Sequence, residues 1–137
     1  MTGAGDPPLS GLRVLELCQV MAGPFCCQVL GDMGADVVKV EPPGTGDQSR
    51  RSMGFKMKGE DTAAFLAVNR NKRSVTLDLK DDAHRRAFYR LVETADVPDA
   101  EHRPGEPAKA GAERHVEALE HDPVSYTHLT LPTTPYV

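Results

Sequence analysis

The chain has no tryptophan, and aromatic residues make up only 5% of its 137 positions. That leaves little flat surface for stacking nucleobases and disfavours a single-stranded nucleic-acid binder. Positive charge is not in excess either: 16 Lys and Arg stand against 20 Asp and Glu, for a net charge of −4. No global basic field gathers polyanions, so any phosphate site must be local. Cysteine is sparse. Cys18, Cys26 and Cys27 form an odd set without C-x-x-C spacing, which argues against a disulfide framework or a zinc site and fits a reducing compartment. The five histidines (His84, His102, His115, His121, His128) have no i, i+4 partner of a second ligand type, so no metal is expected. No stretch approaches the ~20 apolar residues of a membrane span. The start, MTGAGDPPLSG, lacks the basic and apolar regions of a signal peptide. The expectation is a cytoplasmic protein without membrane, nucleic-acid or metal partners.

What is present is a globular composition, 39% hydrophobic and 26% charged. A domain of this length buries roughly two-thirds of its unfolded surface. Residues 12–17, LRVLEL, read as a buried strand. Met21 to Pro24 reads as a turn, with Pro24 at the first helical position, where a missing N–H costs nothing. Cys26, Val29, Leu30 and Met33 then recur at i, i+3, i+4 and i+7 and predict one apolar helix face, closed by Gly34. Asp36 to Glu41 reads as a second strand. Strand, helix and strand over this span make a right-handed βαβ unit. Pro42 to Asp47 is a loop, and 48–60 is polar, unpatterned and expected to be mobile. Asp61 to Val68 reads as a short helix capped by Asp61 or Thr62. Ser74 to Asp78 alternates like a strand. Asp81 to Thr94 is a helix with Phe88, Leu91, Val92 and Ala95 on its apolar face.

Beyond Val97 the character changes. Six of the 11 prolines fall in 98–137, and no strand is expected after Asp96-Val97, so that about three strands would form. Residues 111–121 could make a short, mostly charged helix. The last fifteen residues contain no Lys, Arg, Asp or Glu.

Several motifs in order carry a family resemblance. Pro8-Leu-Ser-Gly-Leu-Arg-Val-Leu-Glu-Leu17 leads into Ala22-Gly-Pro24, then Leu30-Gly-Asp-Met-Gly-Ala-Asp-Val-Val-Lys-Val-Glu41 and Gly44-Thr-Gly-Asp47. Asn69-Arg-Asn-Lys-Arg-Ser-Val-Thr-Leu-Asp-Leu79 follows. Together they resemble the opening of the family III CoA-transferases, which include formyl-CoA:oxalate-type and carnitine CoA-transferases and α-methylacyl-CoA racemases. The resemblance implies an α/β fold: the N-terminal part of a Rossmann-like, doubly wound parallel sheet over 1–97. Residues 98–122 would be a degraded continuation, in which Glu101 and His102 stand where Asn and Phe are usual and Arg103-Pro-Gly105 survives. Residues 123–137 resemble translated adapter sequence and are expected to be unstructured.

The resemblance also implies coenzyme A as ligand and substrate, and transfer of CoA between an acyl-CoA and a carboxylic acid by a homodimer. Gln19, Val20, Met21 and Ala22 would line the CoA site largely through their backbone. Asn71, Lys72 and Arg73 would lie beside the adenosine end, and Lys109 near the phosphates, since cations bind phosphate by charge-assisted hydrogen bonds. Two positions depart from the pattern. Met21 stands where some members place a polar side chain, and Pro42 follows Glu41 where a basic residue is frequent. The nucleophile of such a transfer is an Asp, which the resemblance places in a later βα unit. Asp32, Asp36, Asp47, Asp78 and Asp122 are not in its motif, so no catalytic residue is assigned. The expectation is an N-terminal fragment, inactive and marginally stable alone. Two alternatives stand beside it: a stand-alone CoA- or nucleotide-binding module, and a racemase fragment. A dehydrogenase fragment is disfavoured, because Gly44-Thr-Gly46 is not GxGxxG and follows the second strand rather than the first.

Overall fold

A computed structural model describes residues 5–57, 59, 61–99 and 116. The chain order is β1 (Arg13–Glu16), α1 (Ala22–Asp32), β2 (Asp36–Glu41), α2 (Ser49–Ser52), α3 (Ala63–Val68), β3 (Lys72–Thr76), α4 (Asp82–Glu93) and β4 (Val97–Asp99). The strands form one parallel sheet in the order β3-β2-β1-β4. This is the doubly wound α/β pattern, with the direction of winding reversing at β1.

Strand alternation divides the sheet into two faces. On one, Leu15, Leu17, Val38 and Val40 pack with Leu77, Leu79, Phe88 and Val92. Phe88 is fully buried, a side chain whose removal from water is worth roughly 2–3 kcal/mol. Helix α4 covers this face, starting where Asp81 accepts hydrogen bonds from the amides of Ala83 and His84. Val116, helical and buried, joins the same cluster. On the other face Val14, Val37 and Ala35 pack on Cys27 of α1.

The sequence reading needs five corrections. A fourth strand exists. Val97–Asp99 pairs with β1, placing Pro98 opposite Leu15. A proline is tolerated because β4 is an edge of the described sheet, where a missing donor breaks no ladder. The register is pinned by Asp96, whose amide donates to the Arg13 carbonyl and whose carboxylate accepts from the Arg13 amide.

The buried face of α1 is Pro24, Cys27 and Gln28, continued by Gly31 against the Asn71 carbonyl. It has the same i, i+3, i+4, i+7 spacing, but two residues out of phase with the expectation. Val29 and Met33 are exposed, and so is Cys26, which is therefore not a packing residue. Hydropathy misled because a glycine and a glutamine provide close approach and hydrogen bonding on the buried side. Pro24 is the third helical residue rather than the first, still inside the turn whose N–H groups lack intrahelical partners.

Strand β3 begins at Lys72, two residues earlier than expected, so the cations of Asn69 to Arg73 are partly within the sheet. Residues 48–57 are not featureless: Ser49 is buried, α2 forms, and Lys56 bridges to Thr62. The expected features of 100–137, apart from Val116, lie outside the described residues. No helix among the described residues is long and apolar enough to cross a membrane.

Candidate functional site at the carboxyl end of the sheet

In an open α/β sheet, ligands bind in the crevice outside the carboxyl ends of the strands at the point of reversal. That point lies between β1 and β4, and the connection from β1 to α1 occupies it. Val20 adopts φ 72° there, a left-handed conformation that costs a β-branched residue about 1–3 kcal/mol. The N-cap, Met21, makes no side-chain capping bond. The first amides of α1 therefore keep donors for an anion or a carbonyl.

The turn is held from below by charged side chains buried in the sheet. Lys39 extends from β2, and its ammonium reaches Glu16 Oε1 at 2.7 Å, Asp47 Oδ2 at 2.7 Å and the Cys18 carbonyl at 2.9 Å. Glu16 and Asp47 are fully buried and Lys39 is 2% exposed. The other oxygen of Asp47 accepts from the Val20 amide at 3.2 Å and from the Ser49 amide and hydroxyl at 2.8 and 2.7 Å. The loop after β2 is thus tied to the strained residue of the turn. Burial alone would lower the Lys39 pKa and raise that of Asp47. Their mutual attraction, with Glu16 on the lysine side and Ser49 on the aspartate side, reverses both, so both are held charged.

A second cluster sits beside the first. Glu41 accepts from Arg50 Nε and Nη2, each at 2.7 Å, from the Ser74 hydroxyl at 2.6 Å and from the Asp47 amide at 2.8 Å. Burial would push its carboxyl up, but Arg50, Ser74 and the Asp47 amide outweigh it and hold the pKa at about 2. Arg50 also meets Asp61 at 2.7 Å and stacks on Phe65 with 3.7 Å to the ring centre. Thr62, the N-cap of α3, accepts from the Phe65 amide and donates to the Ser49 carbonyl, closing the circuit.

The structure separates the residues singled out from sequence. Gln19, Val20, Met21 and Ala22 form the turn, and the Gln19 side-chain carbonyl accepts from the Gln48 amide at 3.2 Å. Lys72 sends its ammonium beneath the same turn, where Glu16 Oε2 at 2.8 Å, the Pro24 carbonyl at 2.7 Å and Asn69 Oδ1 at 2.9 Å take all three of its donors. Burial lowers the Lys72 pKa against the pull of Glu16. Asn71 and Arg73 are elsewhere. Asn71 donates to Asp32 at the far end of α1, and Arg73 to Asp36 at the amino end of β2. Lys109 lies outside the described residues. Sequence reasoning missed Glu16, Lys39, Glu41, Asp47 and Arg50. A usable signal was present, because LRVLEL and DVVKVE carry charges inside runs that otherwise read as buried strand.

The chain is 55% identical over 92 residues to succinyl-CoA:mesaconate CoA-transferase of Haloarcula hispanica, covering 65% of this chain and 23% of that protein. It is 42% identical over 104 residues to succinyl-CoA:glutarate CoA-transferase of Mus musculus, covering 76% and 24%. The chain thus spans about a quarter of the length of these curated relatives. Among solved structures, a CAIB/BAIF family protein from Brucella suis superposes with a TM-score of 0.63 at 44% identity, covering 69% of this chain and 25% of that one. A hypothetical protein from Mycobacterium tuberculosis gives 0.61 at 42% identity, covering 74% and 27%. The sequence profile of CoA-transferase family III matches residues 9–124, a span that takes in the whole described sheet with its strained turn, and this chain belongs to that family.

Proposed function

We propose that this chain supplies the coenzyme A end of a CoA-transferase that moves CoA between an acyl-CoA and a carboxylic acid. The observation that carries the reading is the β1–α1 turn: a strained Val20 at the reversal point of the sheet, braced by Asp47, Lys39 and Lys72. Strain of this kind persists where the surroundings over-determine it, as they do at ligand sites. In this reading the backbone from Gln19 to Ala22 lines the CoA site, with the Val20 amide held by Asp47 rather than offered to the ligand. Lys72, with its donors already taken, is a positioning residue for Pro24 rather than a phosphate ligand. The relatives named above act on succinyl-CoA with a second diacid, which supports a dicarboxylic acyl group as the substrate class.

The transfer needs a carboxylate nucleophile, and the resemblance places it in a βα unit after β4. Asp32, Asp36, Asp47 and Asp61 are engaged by arginine or lysine, which supports binding without turnover by this stretch alone. Isothermal titration of the chain with coenzyme A, dephospho-CoA and NAD tests the reading. Saturable binding of coenzyme A, with NAD binding absent, is expected. NAD binding in its place would revive a dehydrogenase fragment. No binding of either would end the proposal. Thioester exchange by the chain alone would contradict the assignment of the nucleophile elsewhere.

A further inference from the structure

Resting on that reading, we propose that Asp47 is a positioning residue for coenzyme A: by holding the Val20 amide it keeps the β1–α1 turn in the left-handed conformation that aims the start of α1 at the ligand. Two backbone groups of the turn are fastened from below, one on each side of Gln19. Lys39 takes the Cys18 carbonyl at 2.9 Å, and Asp47 takes the Val20 amide at 3.2 Å. The two side chains are themselves an ion pair at 2.7 Å, so positive charge meets the carbonyl and negative charge meets the N–H. The Gln19 side chain adds a third tie, to the Gln48 amide.

Asp47 is set in place without the turn. It is fully buried. Lys39 takes one carboxylate oxygen, the Ser49 amide and hydroxyl meet the other at 2.8 and 2.7 Å, and the Asp47 amide donates to Glu41 at 2.8 Å. The bond to Val20 is longer than any of these, and Val20 is the strained partner, with φ 72°. The carboxylate is a fixed post, and the turn is what it holds. Strain of this kind would weigh a relaxed Val20 over the left-handed one by roughly 5- to 150-fold once the post is removed. A ligand that binds the left-handed form alone then loses apparent affinity in proportion to the fraction of that form. Glycine adopts a positive φ without this penalty. A role for Asp47 through Val20 therefore vanishes when residue 20 is glycine, whereas a role in general stability persists.

The test is a double-mutant cycle of Asp47→Asn and Val20→Gly in the whole chain, with coenzyme A as the probe. An Asn carboxamide has one acceptor oxygen where the carboxylate has two, so with Lys39 on that oxygen its NH2 faces the Val20 amide, donor to donor. Asp47→Asn should raise the coenzyme A Kd at least about fivefold when residue 20 is Val and less than about twofold when it is Gly. NMR reads the conformation directly, because a left-handed residue gives a strong intraresidue HN–Hα Overhauser effect. Val20 should show that effect in the wild type and lose it in Asp47→Asn. If Asp47→Asn fails to fold, Asp47→Glu keeps the counter-charge for Lys39 while moving the acceptor, and carries the same expectations. An equal loss of affinity in both backgrounds, or a Val20 that stays left-handed in the folded variant, would overturn the inference and leave the coenzyme A reading standing. A wild-type chain that does not bind coenzyme A would end that reading, and this inference with it.

Discussion

Replacing Glu41 by Gln removes the acceptor on which Arg50, Ser74 and the Asp47 amide converge. The carboxyl is held at about 2, against 4.5 when unperturbed. A lowered folded-state pKa contributes stability above the unfolded value, and this is lost as pH falls through the folded value. Here the window runs from about pH 4.5 down to about 2, and the depression corresponds to about 3 kcal/mol at neutral pH. Arg50 is 26% exposed and can recover some hydration, so the expected loss for Glu41→Gln at pH 7 is about 2–3 kcal/mol rather than the ~3–5 of a fully buried broken pair. For a domain of this size that is roughly 10–20 °C in Tm. The chain has no tryptophan, so urea unfolding is followed by far-UV circular dichroism at pH 7 and pH 3. Other carboxylates titrate in both proteins and cancel in the difference. The gap between wild type and variant should therefore close by more than half at pH 3. A variant within about 0.5 kcal/mol of wild type at pH 7, the range of an ordinary surface change, would refute the reasoning. So would a gap of equal size at both pH values.

Lys72→Met should cost about 3 kcal/mol in urea unfolding, because Glu16 loses one of its two buried partners. A change near zero would mean that Lys72 is not a structural cation. Arg73→Gln, at an exposed pair with Asp36, should cost under about 1 kcal/mol and alter coenzyme A affinity by less than about twofold, as expected of a screened charge away from the turn. Thr62→Ala should lose about 1–2 kcal/mol, since one buried hydroxyl both caps α3 and bonds the Ser49 carbonyl. Gly34→Ala should lose more than about 1 kcal/mol, because φ is 101° and an added Cβ would meet the Pro7 side chain at 2.3 Å. Both are read from urea midpoints.

The strand–helix–strand core was legible because LRVLEL and DVVKVE are apolar runs divided by a helix with a proline near its start and a glycine at its end. The long helix α4 was equally plain, as its charged and apolar faces are cleanly divided. Legibility failed where packing rather than hydropathy sets the answer. Helix α1 buries Gln28, sets Gly31 against the Asn71 backbone and exposes Val29 and Met33, a phase that depends on that close approach. Strand β4 was hidden by Pro98, which a local reading penalises and an edge position accepts. Within the site, the turn could be placed because it joins a strand end to a helix start. The brace below it could not be assembled, since Glu16, Lys39, Asp47 and Lys72 are scattered in sequence and meet only across three strands and a loop. The Asn71–Arg73 cations illustrate the reverse error. Their adjacency suggested one phosphate patch, but strand alternation and the start of β3 send Lys72 and Arg73 to opposite faces of the sheet.

The most direct test of the central claim is an amide-resolved NMR titration of the chain with coenzyme A. The account predicts that the largest saturable shifts fall on Val20, Met21 and Ala22, with little change at Asn71 and Arg73. Shifts centred on Asn71 and Arg73, with the Val20 to Ala22 amides unmoved, would contradict it.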